Sequence, residues 1–220
     1  DRYEERALLC FDHQGRILWR YQPGRTVHYG DHRAPGDHHF EPPYAFGAFY
    51  LFPKEGKTPD AIWATFIRVP WFPAVVAKLN AEGELLGEYW HAGNVGVLAE
   101  ATLAGRRVIL AGAVNNEHIS PTLSVLDYEN PTGFSPAANP AYLCQNCPSG
   151  SPLAYVRFPR SELSSTLEAY ETIRNIRRFG DNTLQITTRI TTQNTAYLDL
   201  TAYYFDQDLR LVDVTIGSSY

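Results

Sequence analysis

Seven residues able to ligate a metal crowd into one stretch, TVHYGDHRAPGDHHFEP: His28, Asp31, His32, Asp37, His38, His39 and Glu41. Imidazoles and carboxylates at that density can hold a transition metal when the chain folds back on itself. The spacing is not that of a helical His pair, and polar, His-rich stretches of this kind also serve as solvated connections between structural units. No stoichiometric metal is therefore expected at His28, His32, His38 or His39.

Cys144-Gln145-Asn146-Cys147 is a CxxC with no second pair. Haem attachment needs a His directly after the second Cys, and Pro148 stands there. A structural zinc needs four ligands, so this pair would have to borrow two from elsewhere. The two states open to it exclude each other: a disulfide consumes both thiols, whereas half of a metal site needs both as thiolates. The disulfide is the expectation, with Cys10 buried and reduced in a core strand. A disulfide would put the chain in an oxidising, extracytoplasmic compartment.

Glu117 and His118 could form an acid–base pair, because a carboxylate can orient and charge an imidazole. Glu88, His91, Asn94, Asn115 and Asn116 are further polar candidates at the ends of apolar runs, where Asn and His also commonly hydrogen-bond exposed backbone. No GxSxG, phosphate-binding Gly-rich loop or HExxH pattern is present. Trp19, Trp63, Trp71 and Trp90, with Tyr89 and Phe72, suit packing. Trp71, between two prolines, is the exception expected to meet a ligand.

The elements that must position these groups read as short strands. The chain has 14 Tyr, 11 Phe and 4 Trp in 220 residues, and Val and Thr fall in short runs, a mixture that suits pleated, half-buried strands. Lys78–Gly93, KLNAEGELLGEYWHAG, has the form of a hairpin, with a turn at Asn80–Gly83 between Val75–Leu79 and Glu84–Trp90. LLCFDHQGRILWRYQPG shows the same plan around Gly15. TLSVLDYENPTGFSP is expected to repeat it around Gly133. Leu79 and Leu126 lie 47 residues apart and Ile62 and Val108 lie 46 apart, a period that suits four short strands per unit.

The expected order is a hairpin at 7–21, a loop at 22–43, four-stranded units at 46–93 and 95–138, an insertion at 139–170 and a meander at 171–217. Ser161–Tyr170 within the insertion reads either as a short helix or as a strand. The absence of Met and the start at Asp1 suggest part of a longer protein, whose remainder could carry an anchor. No stretch approaches the ~20 apolar residues of a membrane span. The net charge of -5 and the lack of a long basic run argue against a nucleic-acid partner.

FDHQGRILWRY resembles the outer-strand motif of the pyrroloquinoline-quinone-type repeat: a strand ending in Asp, a turn Gly, then Trp. GEYWHAGNVGVLAEATLAGRRVILAGAVNN is similar to the related FG-GAP repeats. Both resemblances imply an all-β, β-propeller-type array of four-stranded antiparallel blades. At this length it would be a minimal ring or a segment of a larger one. The calcium implied by FG-GAP loops is not matched, because Thr102–Arg107 carries no Asp and two Arg. No cofactor is therefore expected.

The resulting expectation is a non-enzymatic module that binds a protein, a small molecule or a carbohydrate, the alternative being a quinone-dependent oxidoreductase. If successive units correspond, a ligand would meet His91, Asn94, Asn115, Asn116, Glu117 and His118, with Trp71 beside them.

Overall fold

A computed structural model describes residues 7–30, 38–53, 59–68, 72–179, 183–191 and 198–217. In chain order, β1 (Leu8–Phe11) and β2 (Ile17–Tyr21) form a hairpin, and β3 (Val27–Tyr29) and β4 (His38–Phe40) a short ribbon. Next, β5 (Ala45–Leu51), β6 (Ile62–Ile67), β7 (Ala74–Leu79) and β8 (Leu85–His91) run up and down as one antiparallel meander.

A second meander begins with β9 (Val95–Leu103), β10 (Arg106–Asn115) and β11 (Ser120–Asp127). The chain then leaves it, adds β12 (Gly133–Phe134) parallel to β8, and returns as β13 (Ala154–Arg157) beside β11. After a short helix α1 (Glu162–Thr166), β14 (Tyr170–Phe179), β15 (Thr183–Thr191), β16 (Leu198–Phe205) and β17 (Leu211–Ile216) make a third antiparallel meander. The protein is all-β, built of several antiparallel sheets, none of them closed.

Several expectations change. The stretch 22–43 is not all loop, since Val27–Tyr29 pairs with His38–Phe40. The insertion 139–170 supplies the fourth strand of the second meander, which an end at 138 had excluded. Gly133 does not close a third hairpin: Gly133–Phe134 pairs with Tyr89–Trp90 of another sheet. Ser161 caps α1 through its hydroxyl, which accepts from the Ser164 amide at 3.1 Å, so the helical alternative holds at 162–166.

The 47-residue spacing has a structural counterpart. Ile62 pairs with Leu79 in the first meander, and Ile109 pairs with Leu126 in the second, each residue 47 positions further along. Both pairs join the second and third strands of their sheets, so the register match expected for Val108 belongs to its neighbour Ile109.

The chain divides into two compact units, 1–95 with 129–152, and 96–128 with 153–220. In the first, every residue of β7 is buried. Val75, Ala77 and Leu79 join Val27, Tyr29, Phe66 and Trp90 in one core, and Lys78 is sheltered with its ammonium 5.8 Å over the Trp63 ring. In the second, the β10 and β11 side chains Val108, Leu110, Leu123 and Val125 meet Ile173, Ile186 and Tyr203 of the C-terminal sheet. Deleting one such Leu would cost about 2–5 kcal/mol.

One turn recurs at three hairpins. Asp12 Oδ1 accepts from the amides of Gln14 and Arg16 at 2.8 and 2.9 Å. Asn80 Oδ1 accepts from Glu82 and Glu84 at 3.1 and 2.8 Å, and Asp206 Oδ1 from Asp208 and Arg210 at 2.9 and 2.8 Å. In each case the fourth residue donates its amide to the carbonyl of the first, and its φ is positive: 79° at Gly15, 81° at Gly83 and 60° at Leu209.

Leu in that conformation costs about 1–2 kcal/mol. Its side chain is partly buried against the second unit's core, which offsets part of that cost. Gly83 is constrained twice, because a Cβ there would sit 2.5 Å from the Trp19 indole, whose Nε1 donates to Ala81 O at 2.9 Å. Asn80→Ala is expected to lower stability by about 1 kcal/mol, and Gly83→Ala by at least ~2 kcal/mol, the strain and the Trp19 clash adding. Chemical denaturation of both variants checks this; equal, negligible losses would contradict it.

Candidate ligand-binding site

Cys144 and Cys147 form a disulfide, and Cys10 is a free thiol that is half-buried on an outer hairpin rather than buried in a core. Trp63, Trp90 and Tyr89 are completely buried, so these aromatics serve packing. Trp71 lies outside the described residues, as do Asp31, His32 and Asp37.

His91 and Asn94 belong to the first unit, whereas Asn115, Asn116, Glu117 and His118 belong to the second. His91, at the end of β8, is fully buried. Burial pushes its pKa down to about 4, against the opposing pull of a hydrogen bond with the Gly93 backbone. It is therefore a neutral core imidazole at ordinary pH. Asn94 is exposed in the turn that follows.

In the second unit, the β10–β11 turn gathers its polar groups closely. Asn115 is buried, donates Nδ2 to the Tyr155 hydroxyl at 2.7 Å and accepts at Oδ1 from the Glu117 amide at 2.8 Å. The Glu117 carboxylate is 3.5 Å from His118 Nε2, with side-chain exposures of 6% and 27%. The pair foreseen from the sequence is thus adjacent. Tyr155, from β13, was not foreseen; burial raises its pKa, while hydrogen bonds with Thr122 and Asn115 pull it back. Asn115 is spent inward, holding the turn, while Asn116, Glu117 and His118 are part-exposed.

A larger concave site lies on the outer face of the C-terminal sheet, a hollow of about 550 Å³ lined by Arg174, Asn175, Arg177, Gln185 and Thr187. A local irregularity of β14 makes it. Ile173 pairs with Thr188 and Asn175 with Thr187, leaving Arg174 as an extra residue. Such a bulge re-aims side chains, and here it places two consecutive polar residues, Arg174 and Asn175, in solvent while Ile173 and Ile176 stay in the core.

Register then sets Asn175 against Thr187 and Arg177 against Gln185. A row of hydrogen bonds crosses three strands: Arg177 Nε donates to Gln185 Oε1, and Gln185 Nε2 donates to the Tyr204 hydroxyl at 2.7 Å. Gln185 is itself 6% exposed. The row fixes the directions of a guanidinium and an amide without cancelling the positive charge, because Arg177's partner here is neutral. The cluster of Arg174, Arg177 and Arg178 was visible in the sequence; the cross-strand partners were not, since they depend on register and on the bulge.

A smaller hollow of about 340 Å³ in the first unit is lined by Tyr21, Gly24, Arg25, Leu85 and Glu88. Its guanidinium is already paired with the nearly buried Glu88 carboxylate. The Tyr21 hydroxyl is buried there, and desolvation, followed by the Glu88 charge, raises its pKa.

His91 makes stability depend on pH. Its folded pKa of about 4 lies below the ordinary 6.5, so between these values the unfolded chain binds the extra proton. The contribution is present above pH 6.5 and is lost as pH falls towards 4, reaching about 2–3 kcal/mol by pH 4.5. Denaturant melts at pH 7 and 4.5 are expected to show this loss in the natural protein and a clearly smaller one in His91→Gln; identical pH slopes in the two would contradict it.

No family model matches the chain, and no curated protein is similar to it at a significant level.

Proposed function

We propose that this chain is a non-enzymatic ligand-binding module, and that its ligand is an acidic saccharide or a similar small molecule carrying a carboxylate among hydroxyls. The observation that carries this reading is the hollow of Arg174, Asn175, Arg177, Gln185 and Thr187. Guanidinium groups match carboxylates in charge and in planar geometry. Side-chain amides and a hydroxyl suit sugar hydroxyls, which both donate and accept. The supporting Gln185–Tyr204 contact preorganises the site, which reduces the entropy lost on binding. The chain's net charge of -5 makes a local cationic hollow the favoured landing place for an anion.

The module is read as part of a β-propeller-type array related to the pyrroloquinoline-quinone-type and FG-GAP repeats. Three largely antiparallel sheets of four or five strands, the 47-residue match of Ile62–Leu79 with Ile109–Leu126, and the recurring Asx-headed turn support that architecture. The disulfide supports an extracytoplasmic setting, as the recognition part of a larger protein. Among the described residues no helix is long and apolar enough to cross a membrane.

Titration calorimetry with oligogalacturonate and with its neutral galactose counterpart tests the ligand class. Binding of the acidic oligomer alone is expected, with Arg177→Ala weakening it about 10-fold or more. Equal binding of both oligomers, or an unaffected Arg177→Ala variant, would contradict the assignment. Turnover in a dye-reduction assay after addition of pyrroloquinoline quinone and calcium would instead favour the oxidoreductase alternative.

A further inference from the structure

The hydrogen-bonding needs of one strand create a second, independent site. In β3 the backbone of His28 is bonded to the disulfide loop: its amide donates to Asn146 Oδ1 at 2.8 Å, and its carbonyl accepts from the Gln145 amide at 2.8 Å. Asn146 Nδ2 closes the clamp on Thr26 O at 3.0 Å, and Tyr29 bridges to Cys144. The His28 amide and carbonyl are thus directed at the disulfide loop, away from β4, where its pairing partner is His39. A pair of that kind is the non-hydrogen-bonded type, in which opposed side chains approach most closely.

The two imidazoles meet accordingly. His39 Nδ1 lies 3.2 Å from His28 Nε2, with ring centroids 4.0 Å apart and planes inclined at 62°. Two imidazole nitrogens bound to one metal at ~2.0–2.1 Å stand roughly 2.9–3.4 Å apart, for ligand angles from square to tetrahedral. The observed separation falls in that range. We infer that His28 and His39 form a bidentate site for a divalent transition metal, with Cu(II) bound most tightly.

Metal binding requires the exposed His39 ring to swing away from the His28 ring until the two nitrogen lone pairs face a common point. The imidazole that donates in the His–His hydrogen bond moves its proton to its other ring nitrogen, so both rings ligate in the neutral form and no net proton is lost. Among the described residues no group of three or more His, Cys, Asp and Glu is placed to hold a metal, so the inference concerns the two imidazoles alone. The inference departs from the expectation of no metal at His28 and His39, which considered helical periodicity and could not see a cross-strand pair. The disulfide loop acts as the outer support, because it fixes the backbone that carries His28.

Calorimetric titration of the tag-free 220-residue chain with Cu(II), alongside electron paramagnetic resonance, tests the site. One equivalent with nitrogen hyperfine structure from two imidazoles is expected, weakened at least ~10-fold in both His28→Gln and His39→Gln. His13→Gln, altered in an exposed turn, should bind as the natural protein does, and near-ultraviolet circular dichroism confirms that the variants are folded. Equal affinity across all four proteins, or no stoichiometric binding, overturns the inference.

Discussion

Asp12, Asn80 and Asp206 each offer one side-chain oxygen to two backbone amides across a five-residue turn. That contact fixes where the second strand of each hairpin starts. Because side chains alternate in a strand, a slip of one residue would turn every core residue outward. The three hairpins share a further consequence, a register shift immediately before the turn, at Cys10/Phe11, Lys78/Leu79 and Tyr204/Phe205. With register set in this way, β7 can be buried along its whole length, and Tyr203 and Phe205 can both face Phe158.

Register also decides which polar groups gather. The bulge at Arg174 and the pairing of β15 with β14 and β16 put Arg177, Gln185 and Tyr204 in one row. The commitment of the His28 backbone to the disulfide loop puts His28 and His39 ring to ring. In both places a backbone accounting problem is solved first, and the side-chain constellation follows from it. Glu171 illustrates the same economy inside the second unit. Its buried carboxylate accepts from the Thr188 hydroxyl at 2.8 Å and from the Ser161 amide at 2.9 Å, tying β15 to the start of α1.

Local patterns in the sequence were sufficient for the strands of the three hairpins and for their turns, but not for β3, β4, β12 and β13. Asn80-Ala81-Glu82-Gly83 and Asp12-His13-Gln14-Gly15 both carry the glycine that a positive φ favours. The third, Asp206-Gln207-Asp208, is legible from its polar residues between two apolar runs, and its Phe205-Asp206 and Arg210 repeat Phe11-Asp12 and Arg16; what the sequence does not show is that Leu209 takes the positive-φ position held by glycine in the other two. Gly133 looked like a turn residue and instead begins a strand paired to a distant sheet. Local composition could not show that pairing, nor could it place β13 beside β11 after a long excursion. Of the polar candidates, Glu117 and His118 were adjacent in sequence and stayed adjacent. The burial of His91 was not legible, because it depends on what covers β8. The hollow at Arg174 and the His pair were missed because both join residues across strands.

The central claim is that the C-terminal sheet presents a cationic, amide-lined hollow to an acidic saccharide. Arginine side-chain resonances test it most directly, since each guanidinium reports its own contacts. Addition of oligogalacturonate is expected to shift the Nε–H signals of Arg174 and Arg177 in a saturable manner while leaving that of Arg25, already paired with Glu88, in place. Saturable shifts at Arg25 with Arg174 and Arg177 unmoved would contradict the account.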